Sequence, residues 1–120
     1  MGPERLRSYL PRKQELKQLQ HLRDVLLQEA ELDERRGWIK KKDRPSAYWD
    51  LVALYERLIQ EAQQDLQEIE DAVESLPDSP GRDVLRLQYL QGLNMDQVSL
   101  KLCYSWESIY RHRKKALAML

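Results

Sequence analysis

The densest run of chemistry-bearing side chains in this 120-residue sequence is SWESIYRHRKK, from Ser105 to Lys115. Read as a helix capped by Ser105, it opens on free backbone N–H groups and a partial positive charge, both suited to phosphate. Arg111 carries two parallel donors that match guanine O6 and N7, and Glu107 can accept from cytosine N4. Arg113, Lys114 and Lys115 are suited to phosphate contacts, which set affinity and its dependence on salt. Ser105, Ser108 and His112 complete the groups able to touch a nucleic-acid backbone. Trp106 is either a base contact or packs on its own domain. Tyr110 is read first as a core or dimer contact.

Catalysis finds little support. Asp96 and Glu107 fall on separate short helical segments and do not make a carboxylate dyad. Ser99 and Ser105 lack a histidine in a triad arrangement. His21 and His112 have no partnered spacing, so neither a metal site nor a cofactor is expected. Cys103 stands alone, which excludes an intramolecular disulfide, and no glycine-rich nucleotide loop is present. The expected mechanism is binding without chemistry.

The composition fits a folded helical chain, with 42% hydrophobic and 33% charged residues and no Phe, so the core should consist of Leu, Ile and Val. Net charge is zero, yet the charges are unevenly placed. Residues 1–79 hold 13 Lys/Arg and 17 Asp/Glu, whereas residues 80–120 hold 7 and 3. An anionic partner is therefore expected for the C-terminal third alone. The first residues lack the apolar stretch of a secretion signal, and no apolar run is long enough to span a bilayer. A cytoplasmic location without membrane contact is the expectation.

Two long helices should precede the basic segment. The first, about 12–36, opens at Pro11, carries Leu16, Leu19, Leu22 and Leu26 at steps of three and four, and stops at Gly37. The second, about 47–76, carries Tyr48, Leu51 or Val52, Tyr55, Leu58 or Ile59, Ala62, Leu66, Ile69, Val73 and Leu76 on one stripe and an acidic run from Glu56 to Glu74 on its outer face. Ser46 is its expected N-cap. The linking segment GWIKKKDRPSA is basic at 40–44, either a solvated linker or a contact to DNA backbone. Together these elements predict an all-α chain with an antiparallel, coiled-coil-like helical hairpin over 1–76, for dimerisation or partner contact. PDSPG at 77–81 divides it from a second domain, 80–120.

That second domain is predicted as three short helices. Residues 82–91 form the first, Asn94 with Gln97 supplies a capping box for 95–102, Cys103 and Tyr104 turn the chain, and Ser105 caps the last. Such lengths fit a helix-turn-helix whose second helix enters the major groove. Residues 84–120, VLRLQYLQGLNMDQVSLKLCYSWESIYRHRKKALAML, resemble region 4 of the sigma-70 factors. The resemblance is carried by Gly92-Leu93-Asn94 at the turn, Val98 and Leu102 as scaffold, Ser105, Glu107 and Ile109 opening the recognition helix, and Lys115-Ala116-Leu117 with Leu120 at its close.

The resemblance implies base contacts by Trp106, Glu107 and Arg111. Trp106 replaces the Arg usual in promoter-reading factors, and Cys103 replaces a common Gly, so the −35 element is not an inferable target. No counterpart of sigma region 2 is present. In architecture the chain is similar to small phage and prophage late-gene regulators. The implied partners are double-stranded DNA, a second copy of the chain as homodimer, and RNA polymerase. Two alternatives share the pattern: a small-terminase-like DNA-packaging subunit, and a sigma-4-like adaptor that binds polymerase without DNA.

Overall fold

A computed structural model describes all of residues 1–120 and contains helices and turns with no strand. The helices are α1 (Pro3–Arg7), α2 (Tyr9–Arg35), α3 (Ser46–Glu74), α4 (Pro80–Leu85), α5 (Met95–Leu102) and α6 (Trp106–Met119). A 3-10 turn, Lys41–Asp43, lies between α2 and α3, and a π-turn, Arg86–Leu90, extends α4. The chain divides into two compact units, each described separately below.

Lys13–Gln64 form one unit, made of most of α2, the connection that follows it and the first part of α3. Gly37 ends α2 at a φ of 70°. Its N–H reaches the Glu34 carbonyl (3.1 Å), and the Trp38 N–H reaches the Asp33 carbonyl (2.9 Å). This pair of bonds satisfies carbonyls left open at the helix end and suits a residue without Cβ at position 37. The connection is fixed by Arg44, whose guanidinium pairs with Asp33 and lies 4.6 Å from the centre of the Tyr48 ring. The Tyr48 hydroxyl in turn donates to the Leu26 carbonyl. Ala30, Val52, Ile59 and Ala62 are the buried apolar residues of this unit, whereas Leu22, Leu32, Leu51 and Leu54 remain exposed. Ser46 is the first helical residue of α3 rather than the residue before it.

Met1–Arg12 and Asp65–Leu120 form the other unit. The expected division at 77–81 is not where contacts separate. The apolar stripe of α3 runs on through Leu66, Ile69, Val73 and Leu76, all buried in the same unit as Leu6, Tyr9, Val84 and Leu85. Helix formation also begins earlier than Pro11 suggests. Pro3 stands in the first turn of α1, and Pro11 in the first turn of α2, where a missing N–H leaves no intrahelical bond unmade. The acidic run of α3, expected on its outer face, is partly engaged: Asp65 pairs with Arg12 (2.9 Å), Glu74 with Arg86 (2.7 Å), Glu68 with Arg5, and Glu70 accepts from the Tyr9 hydroxyl. The ion pairs among these, being largely exposed, contribute little each, and the buried apolar residues hold the unit.

Ser79 caps α4 by accepting from the Arg82 N–H, and Pro80 occupies its first turn. α4 lies close against α6 at Gly81, where an added Cβ would come within 2.8 Å of both the Ala116 Cβ and the His112 carbonyl oxygen. Val84, Leu87, Val98 and Ile109 form the buried centre of the three C-terminal helices, closed by Leu93, Met95, Leu102 and Tyr104. No helix is long and apolar enough to cross a membrane.

Candidate nucleic-acid interface

The segment Asn94 to Lys115 is positioned by two caps and one left-handed residue. At α5 the Asn94 side-chain oxygen accepts from the Gln97 N–H and the Gln97 side-chain oxygen accepts from the Asn94 N–H, each at 2.9 Å. This reciprocal pair fixes where the short helix begins. Cys103 ends it at φ 59° and ψ 37°, the left-handed region, and is the chain's one non-glycine residue with positive φ. The Ser99 hydroxyl donates to the Tyr104 carbonyl (2.6 Å) and holds the turn closed. Ser105 then caps α6, its oxygen accepting from the Ser108 N–H at 3.3 Å.

Ile109 and Ala116 are buried and set the inward face of α6 at a spacing of seven. Helical periodicity turns Glu107, Tyr110, Arg111 and Lys114 to the opposite side. These residues, with Arg113 and Leu117, lie together along one open side of the helix. Arg111, Lys114 and Lys115 are exposed and form no ion pair, so their charge is available to an anion. Arg111 makes one internal contact, a long 3.4 Å hydrogen bond to the Ser108 hydroxyl. Glu107 is likewise exposed and unpaired with any cation.

The remaining sequence-derived site residues divide. Trp106 is half-exposed, but its indole N–H donates to Asp96 of α5 at 3.2 Å. Ser105 and Ser108 serve the helix cap, their hydroxyls 3.2 Å apart. His112 is half-buried and its ring lies 5.4 Å from that of Tyr104, centre to centre. Arg113 is held by the Gln88 side-chain oxygen (3.2 Å) and stands 4.5 Å over the Tyr110 ring. His112 and Arg113 thus both have partners within the fold, unlike Lys114 and Lys115. Tyr110, read from the sequence as a core or dimer contact, is not in the core: it is 52% exposed beside Arg111. Its position three residues beyond Glu107 and one beyond the inward Ile109 was the available signal. No group of three or more His, Cys, Asp or Glu side chains is placed to hold a metal ion.

A family model described as "Protein of unknown function (DUF1492)" matches residues 29–120, and the chain belongs to that family. No curated protein and no solved structure matches the chain. The family's description assigns no activity.

Proposed function

We propose that the protein is a sequence-specific double-stranded-DNA-binding regulator of transcription, of the phage and prophage type. In this reading an antiparallel helical hairpin precedes a sigma-70 region 4-like helix-turn-helix, with α5 as its first helix and α6 as the major-groove reader. One observation carries it: the outward face of α6 presents Glu107, Tyr110, Arg111 and Lys114 together, with its arginine and lysine free of ion pairs. A cationic face of this kind is stabilised by an anionic polymer, and the uncompensated Glu107 beside Arg111 supplies discrimination rather than affinity.

Arg111 and Glu107 are the base readers, with Trp106 at the groove edge and Tyr110 beside Arg111. Lys114 and Lys115 take phosphates, as do the Ser105 and Ser108 hydroxyls at the start of the helix. His112 and Arg113 serve mainly to seat α6. The exposed Leu22, Leu32, Leu51 and Leu54 of the other unit support homodimer formation, which would bring two reading helices to two half-sites. RNA polymerase is the protein partner this role calls for.

The test is a titration of a labelled duplex at several salt concentrations with wild type and with Lys114→Ala and Lys115→Ala. Each lysine that neutralises a phosphate should lower the log–log salt slope by about one. Slopes unchanged by both substitutions would remove α6 from the DNA interface.

A further inference from the structure

The connection after α2 carries a second cationic and aromatic surface that the α6 reading does not use. Trp38 is 70% exposed, the most exposed aromatic residue in the chain. Its position is nevertheless fixed, because its N–H is bonded to the Asp33 carbonyl in the closure that ends α2. A tryptophan held by its backbone while its ring stays in water forgoes the burial that normally favours this side chain. One side of the ring is approached by the Arg36 guanidinium, 4.7 Å from its centre. With that guanidinium on one face, the high exposure leaves the other face open.

Lys40, Lys41 and Lys42 follow directly, all exposed and without ion pairs. The acids nearby offset them only in part. Asp33 is taken by Arg44, whereas Glu34, exposed and accepting from the Lys41 backbone N–H (3.2 Å), and Asp43 within the turn keep their charge against the four cations Arg36 and Lys40 to Lys42.

We infer that Arg36, Trp38 and Lys40 to Lys42 form a binding site for a single-stranded nucleic-acid segment, with an unpaired base stacked on the open face of Trp38 and the lysines on its phosphates. A flat aromatic ring beside a track of cations suits such a strand, because every base has a face to stack and every linkage a charge. A paired duplex hides its base faces and would leave the indole unused. An anionic bilayer asks for a broader apolar surface, and in this connection Trp38 is the one large exposed apolar side chain. The site lies in the Lys13–Gln64 unit and does not depend on the role given to α6.

The experiment uses the full chain carrying Trp106→Phe, so that Trp38 and Trp49 remain as reporters. It is titrated with a 12-residue oligothymidylate, read both by tryptophan quenching and by anisotropy of labelled oligonucleotide. Saturable quenching is expected. Adding Trp38→Ala should abolish most of the quenching and weaken binding about tenfold. Replacing Lys40, Lys41 and Lys42 together with Gln should reduce the salt slope by about 2. Circular dichroism checks that these surface variants keep their helicity. Absence of binding, or binding that Trp38→Ala leaves intact, overturns the site. So does a response to phosphatidylglycerol vesicles with none to the oligonucleotide, which would make the surface a membrane contact.

Discussion

The indole N–H of Trp106 donates to the carboxylate of Asp96 across 3.2 Å, joining the first turn of α6 to the first turn of α5. The bond joins the two helices whose mutual placement sets the proposed reading face. Both residues are exposed, so the contribution to stability is small. A double-mutant cycle with Asp96→Ala and Trp106→Phe, measured by urea unfolding, should give a coupling of about 0.5–1 kcal/mol. In duplex binding, Asp96→Ala should change sequence preference by freeing the indole and should raise non-specific affinity by removing a negative charge. Zero coupling would show that the two side chains act independently.

Gly81 sits where α4 meets α6 without room for a side chain. Gly81→Ala places a methyl 2.8 Å from the Ala116 Cβ and from a backbone oxygen, and backbone cannot move aside cheaply. A loss of roughly 1–3 kcal/mol is expected on thermal or urea unfolding. Gly2, with nothing near its Cβ position, is the control, and Gly2→Ala should be close to neutral.

Cys103 adopts a left-handed conformation that costs an L-residue about 1–2 kcal/mol. Cys103→Gly should therefore raise stability, by somewhat less than that because glycine also gains freedom in the unfolded chain. Cys103→Val, branched at Cβ, should lower it. A Cys103→Gly variant less stable than wild type would mean that the exposed sulfur contributes more than the strain costs.

Alkaline pH gives an independent handle on the packing of the N-terminal segment. Tyr9 is buried, and burial together with its hydrogen bond to Glu70 raises its pKa from 10.0 to about 12. A pKa raised on folding contributes stability that is fully present below pH 10 and is lost as pH rises from 10 through 12. Unfolding free energies of wild type and Tyr9→Phe, compared at pH 9 and pH 11.5, should converge at the higher pH. A gap that stays constant would place the Tyr9 hydroxyl in water.

Much of the C-terminal unit was legible in its sequence because its signals are local. Asn94 with Gln97, and Ser105 before an apolar residue at 109, announce their own helix starts, and both caps are formed. The all-α class and the bounds of α2 and α3 followed from apolar periodicity to within a few residues. What was not legible depends on partners distant in sequence. The burial of Leu6 and Tyr9, and the pairing of Arg5 and Arg12 with acids more than fifty residues away, leave no local pattern. The π-turn at Arg86–Leu90 is a departure within an ordinary helical stretch, and Tyr110 is a ring whose type suggests burial while its helix position dictates exposure. Arg113 looked equivalent to Lys114 until Gln88 was brought beside it by the packing of the three helices.

The central claim, that α6 reads sequence in duplex DNA, is tested most directly by selection of the purified full-length protein on a randomised duplex library at two salt concentrations. Enrichment of a discrete motif, repeated as two half-sites if the chain acts as a dimer, with recovery falling at the higher salt, is the expected result. Enrichment should collapse for Arg111→Ala. Uniform, weak, salt-sensitive recovery, or none, would contradict sequence-specific reading by this protein.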